Sequence, residues 1–150
     1  MAEIYVDADA CPVKEEIERV ASRHQLRVHI VSNGGIRPSR NPLVQTVVVS
    51  EGPDAADDWI CERVCANDIV ITADIPLASR CLKKGALVLG PSGKAFTEES
   101  IGLALGLREL HRHLREVSGK QTYNPGFGRD DRSRFLVALE NAVQGSRRAP

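Results

Sequence analysis

Apolar residues along this chain fall into two kinds of pattern. Short runs rich in valine and isoleucine alternate with longer stretches in which apolar positions recur at helical spacing. Ile4–Asp7 is an apolar run that ends in acid and predicts a first strand. Pro12 suits the first turn of a helix, where its missing N–H has no partner to lose. Val13, Ile17, Val20 and Ala21 then place a helix over residues 13–24. Residues 26–32 and 44–50 predict strands two and three, separated by NGGIRPSRNP (33–42), a loop by every breaker signal. Asp54 stands as an N-cap for a helix over 55–65. IVIT (69–72) is a continuous apolar run, the kind buried on both faces of a sheet. A short helix over 76–84 is stopped by Gly85, and 86–89 predicts strand five. Thr97 caps a long helix to about residue 117. A loop over 118–129 leads to a last helix over 132–143, and GSRRAP (145–150) is expected to fray.

Strands alternating with helices imply an α/β domain: three layers around a mostly parallel, five-stranded sheet, spanning residues 1–144. One connection is unusual. About ten residues join strands two and three, short for a parallel crossover, so strand three is expected to run in the other sense or to lie at an edge.

In such a sheet, ligands bind outside the carboxyl ends of the strands. Asp7 ends strand one and Asp9 follows it, Asp57 and Asp58 open the helix after strand three, and Asp74 follows strand four. Crowded carboxylates repel one another, and a divalent cation removes that penalty. Oxygen ligands suit Mg²⁺ or Mn²⁺. The expected metal ligands are Asp7, Asp57, Asp58 and Asp74, and the expected catalytic residues Asp7, Asp9, Asp58 and Asp74. The structural alternative is that Asp54, Asp57 and Asp58 favour a helix N-terminus and that Asp74 caps the next helix. It explains the DAD of residues 7–9 less well. Bound cations would activate water and stabilise a phosphoryl oxygen. Around the centre, Lys14, Arg37, Arg40, Arg80, Arg132 and Arg134 are candidate phosphate contacts, and Tyr123 a candidate stacking residue for a single strand. For any single one of these basic residues, a solvated surface charge is the commoner role.

Composition narrows the picture. Lysine plus arginine equals aspartate plus glutamate at 20 each, so the formal charge is zero, which argues against a tail-driven nucleic-acid binder. With 42% hydrophobic residues over 150, the chain can bury one ordinary core. MAEIYVDADA lacks a basic segment followed by an apolar one, and no run is long enough to span a bilayer. A cytoplasmic protein with no membrane partner is expected. Cys11, Cys61, Cys65 and Cys81 are then expected as reduced thiols outside any closed zinc motif.

The motifs IYVDADACPVKEEI, VSNGGIR, GPDAADDWI, DIVITADIPLASRCLKKGA, FTEESIG and DRSRFL resemble, in order and over nearly the whole chain, the YaiI/YqxD family of bacterial proteins. That family is similar in fold to PIN-like nucleases. The resemblance implies that Asp7 and Asp74 take metal-ligand places and that Asp57 or Asp58 takes that of an acidic helix residue. DAD at strand one and the paired DD depart from the usual PIN pattern. The leading expectation is a nuclease dependent on Mg²⁺ or Mn²⁺ that acts on RNA or single-stranded nucleic acid. The alternatives are a phosphatase like the haloacid dehalogenases, with Ser32 as its phosphate-binding hydroxyl, and a non-catalytic nucleotide- or RNA-binding module.

Overall fold

The computed structural model describes residues 2–8, 11–34, 38–49, 54–102 and 128–148. The elements are β1 (Ile4–Asp7), α1 (Lys14–His24), β2 (Val28–Ser32), β3 (Val44–Val48), α2 (Ala55–Arg63), β4 (Ile69–Ile71), α3 (Ile75–Lys83), β5 (Leu87–Leu89), β6 (Ala95–Phe96) and α4 (Arg129–Arg148). The strands form one sheet in the order β3-β2-β1-β4-β5-β6. The first five are parallel and β6 is antiparallel to β5. The expected five-stranded sheet therefore has a sixth strand. Its two residues are too few to show any periodicity, and it exists because a turn returns the chain along β5, with Gly90 N–H donating to the Lys94 carbonyl (2.8 Å).

Strand three lies at the edge and runs parallel to β2. Asn41 organises the end of the short crossover. Its amide donates to Ser22 Oγ on α1 (2.7 Å), and its side-chain oxygen accepts from Leu43 N (3.0 Å). Side-chain bonds of this kind replace backbone pairing in a loop.

Alternation along the strands divides the core. Ile4, Val6, Ile69, Ile71 and Leu89 face α1 and α4, where Ile17, Val20, Ala21, Phe135, Leu139 and Val143 are buried. Tyr5, Val31, Val70 and Val88 face α2 and α3, where Ile60, Cys61, Leu77, Ala78 and Cys81 are buried. Helices cover both faces, so IVI of β4 is completely buried and reads as continuous apolar sequence.

Helix ends follow local rules. Two helices close with paired bonds from the residues after the helix. After α1 these run from Gln25 N to Ser22 O and from Leu26 N to Ala21 O. After α3 they run from Gly85 N to Leu82 O and from Ala86 N to Cys81 O. Both closures need a left-handed residue, supplied by Gln25 and by the expected Gly85. Asp131 accepts from Gly128 N (2.9 Å) at the start of α4, reaching back across the first turn as in a capping box. α4 starts before and ends after the expected 132–143, and Ser146 Oγ donates to the Asn67 carbonyl (2.7 Å). Among the described residues, no helix is long and apolar enough to cross a membrane.

On the α2 side, Tyr5 and His29 stack at 4.8 Å between centroids. Trp59 lies 6.2 Å from Tyr5, and the Arg63 guanidinium sits 4.2 Å above the Trp59 ring. His29 bridges Gln45 and Glu3 through its two ring nitrogens.

Gly93 marks the closest approach of the β5–β6 turn to α4. Its φ is +93°, and a Cβ there would stand 2.8 Å from the Arg134 carbonyl oxygen. Gly93→Ala is expected to cost about 2 kcal/mol or more, a fall in Tm of roughly 5 °C or more for a domain this size. Gly34→Ala, at φ +124° with open space around the site, isolates the backbone cost and should lower Tm less.

Candidate acidic site

The strand order reverses at β1. From β1 the chain leaves through α1 toward β2, and from the neighbouring β4 it leaves through α3 toward β5, on the opposite face. The carboxyl ends of β1 and β4 therefore frame the crevice at which open α/β sheets bind ligands. Val6 pairs with Ile71, so the next residues, Asp7 and Thr72, meet at the mouth of that crevice.

Thr72 is buried and joins the two strand ends. Its hydroxyl donates to Asp7 Oδ2 (3.0 Å) and accepts from Asp74 N (3.0 Å). A hydrogen bond to a charged group of this kind contributes about 1.5–3 kcal/mol. Asp74 Oδ1 accepts from Leu77 N (2.9 Å), so Asp74 caps α3, as the structural alternative foresaw. Capping leaves its charge at the mouth, because an N-cap sits at the end of the helix nearest the strand it follows. Thr72 is the residue that sequence reasoning passed over. Its signal was the hydroxyl at the end of the buried run IVIT, two residues before an acid.

Asp57, half-buried in the first turn of α2, completes the group. Its carboxyl is pushed up to about 6, first by burial and then by the charges of Asp74, Asp7 and Asp54, with Arg80 pulling the other way. Three chain segments thus bring Asp7, Asp57 and Asp74 into one electrostatic field. Asp58 is exposed and accepts from Arg80 Nη1 (3.0 Å). Asp54 stands at the N-cap position of α2 without a side-chain capping bond.

Among the described residues, no three His, Cys, Asp or Glu side chains close on a single point as a metal cage would. The acidic groups that share this field, Asp7, Asp57 and Asp74, offer hard carboxylate oxygens. That chemistry fits Mg²⁺, which takes one or two carboxylates and keeps several waters.

The expected basic rim divides. Lys14 opens α1 and is half-buried, and Arg40 is exposed in the β2–β3 crossover. Arg132 donates to the Pro12 carbonyl (2.7 Å) and to Glu16 Oε1 (3.1 Å), fastening α4 to the segment that follows the DAD turn. The other oxygen of Glu16 is buried without a partner. Arg134 pairs with Asp131 (2.7 Å), whose carboxyl is held below the usual range by Gly128 N–H and then by Arg134. Asp9, Arg37 and Tyr123 lie outside the described residues.

Ser32 is buried and engaged with Gly34, donating to its carbonyl and accepting from its amide, both at 3.0 Å. Cys61 and Cys81 are buried in mutual contact between α2 and α3. Burial pushes both thiols up, Cys81 to about 12. Cys65 is exposed beyond the end of α2 and donates to the Arg63 carbonyl.

The chain matches, over residues 5–145, the family described as "Uncharacterized BCR, YaiI/YqxD family". It is 60% identical over 150 residues to a UPF0178 protein of Parvibaculum lavamentivorans, covering 100% of this chain and 99% of the relative. It is 59% identical over 138 residues to a UPF0178 protein of Agrobacterium fabrum, covering 92% of this chain and 90% of the relative. No solved structure matches it significantly. With a matched region reaching from β1 into α4, and these full-length relatives, the chain belongs to the YaiI/YqxD family.

Proposed function

We propose that this protein is a phosphodiesterase dependent on Mg²⁺ or Mn²⁺ that acts in the cytoplasm on RNA or single-stranded nucleic acid, with a site of the PIN-like nuclease kind. The observation that carries the reading is the Thr72 hydroxyl, which ties Asp7 Oδ2 (3.0 Å) to the backbone of Asp74 (3.0 Å) where β1 and β4 end side by side; the raised carboxyl of Asp57, from a third chain segment, supports it. Carboxylates left crowded at a switch point store repulsion that a divalent cation relieves.

Asp7, Asp57 and Asp74, with Asp9, would hold the ion. When bound, it neutralises charge on a phosphoryl oxygen and acidifies a water. The chain's own groups do the positioning. Thr72 fixes Asp7 and the backbone of Asp74, and Leu77 N–H fixes the Asp74 carboxylate. Arg132 fastens the segment after the DAD turn. Arg40, Lys14, Arg80 and Arg134, with Arg37 and Tyr123, would meet the polynucleotide around this centre. The phosphatase reading is weaker, because the hydroxyl of Ser32 is already committed to Gly34.

Mn²⁺ should raise Tm by binding the folded state preferentially. Asp7→Asn and Asp74→Asn should lose that shift while staying folded, since asparagine also caps a helix. An undiminished shift in both variants removes the metal from these residues.

Purified protein with Mn²⁺ should cleave single-stranded RNA, and Asp7→Asn prepared in parallel should not. Equal cleavage by the two would identify a contaminant. RNA binding without cleavage by either would favour the binding-module reading.

Asp57 gives a pH test in EDTA. Its carboxyl holds a proton more tightly folded than unfolded, so the folded state binds more protons between the unfolded value and about 6. Stability from this group is therefore lost as pH rises through that window. Asp57→Asn should raise Tm over wild type at pH 8, and the gain should shrink at pH 5. A gain independent of pH would mean that burial and the neighbouring acids do not raise the Asp57 carboxyl.

A further inference from the structure

Asp58 and Arg80 form a pair that the acidic centre leaves over. Asp58 is in the first turn of α2 and Arg80 in the second half of α3, so their contact bridges the two helices on one face of the sheet. Both side chains are about half exposed, at 55% and 48%. The charge of Arg80 acts on Asp57, against those of Asp74, Asp7 and Asp54. The pair therefore stands beside the acidic centre, facing solvent.

The contact joins Arg80 Nη1 to Asp58 Oδ1. A guanidinium carries five N–H donors in a planar fork suited to carboxylate and phosphate alike. An exposed ion pair is a weak tether, easily exchanged for another anion. We propose that Arg80 is the guanidinium that takes a backbone phosphate of the nucleic-acid strand, and that Asp58 is the internal anion it exchanges for that phosphate. The inference rests on the reading of the site as one that takes nucleic acid, and it assigns Asp58 to substrate admission rather than to the metal or the chemical step. Asp58 keeps the guanidinium between α2 and α3, beside Asp57, and yields it when a phosphate arrives. No bond is made or broken, and one carboxylate contact is replaced by one phosphate contact.

The two residues should then act with opposite signs on binding. The measurement is the affinity of the full chain for a fluorescein-labelled single-stranded RNA in EDTA, titrated over a range of salt. Asp58→Asn removes the competing charge and should bind about two- to threefold tighter. Arg80→Gln should bind several-fold weaker, and the slope of log affinity against log salt should shrink by about 0.7, the value of one phosphate contact on a single strand. Arg80→Lys, which keeps the charge, should recover most of that slope. The double variant should match Arg80→Gln alone, because Asp58 acts only through Arg80. The inference is overturned if the gain from Asp58→Asn persists in the Arg80→Gln background, if Asp58→Asn weakens binding, or if none of these proteins binds the RNA without metal. Metal-dependent cleavage by wild type alongside any of those results leaves the phosphodiesterase reading standing without this one. The opposite-sign pattern without cleavage leaves the phosphate contact standing and removes the nuclease.

Discussion

Everything at the candidate site follows from one constraint, that β1 and β4 must be covered on both faces. Ile4, Val6, Ile69 and Ile71 on one side, and Tyr5 and Val70 on the other, are all buried. A single layer of helices would leave one of these sets in water. The connections out of the two central strands therefore leave to opposite faces, α1 to one and α3 to the other. Two adjacent strands whose connections diverge leave a gap above their ends, and the residues at those ends are Asp7 and Thr72. The acidic mouth is thus a by-product of hydrophobic coverage, and only the identity of the side chains there makes it chemically interesting.

Within that gap, hydrogen bonding and charge pull in different directions. Thr72 and the first turn of α3 immobilise Asp7 and Asp74, while burial and then the field of those two carboxylates oppose ionisation of Asp57. A fold selected for stability alone would have little reason to fix carboxylates in range of one another. Such local conflict, embedded in a sheet whose central strands follow the burial pattern of their sequence, is where function is expected to reside.

Much of this was legible in the sequence. The runs IYVD and IVIT carry their burial in their composition, and a strand that ends in acid announces where the acid points. Gly85 and the cap at Asp74 depend on backbone rules acting over a few residues, so they too could be read directly. What could not be read depends on how elements are turned or paired. Asp57 and Asp58 are neighbours in sequence, yet successive residues differ by about 100° around a helix, and only the docking of α2 decides which faces the crevice. Thr72 becomes Asp7's partner only once β1 and β4 are known to be adjacent. β6 is defined by a turn and not by any apolar pattern of its own. The reach of α4 beyond its apolar stripe is tied to the Ser146–Asn67 contact, a pairing of residues far apart in the chain.

Trp59 is the chain's single tryptophan, and Tyr5 is one of only two tyrosines. The indole lies on the same helix as Asp57, two residues on, in contact range of Tyr5 on β1 and beneath the Arg63 guanidinium. The molecule therefore carries its own optical reporter between the helix and the strand that frame the acidic mouth. Its emission colour follows the wetness of that helix. Excitation passed from the Tyr5 phenol to the indole follows their separation, so a displacement of α2 from β1 registers as light without any label.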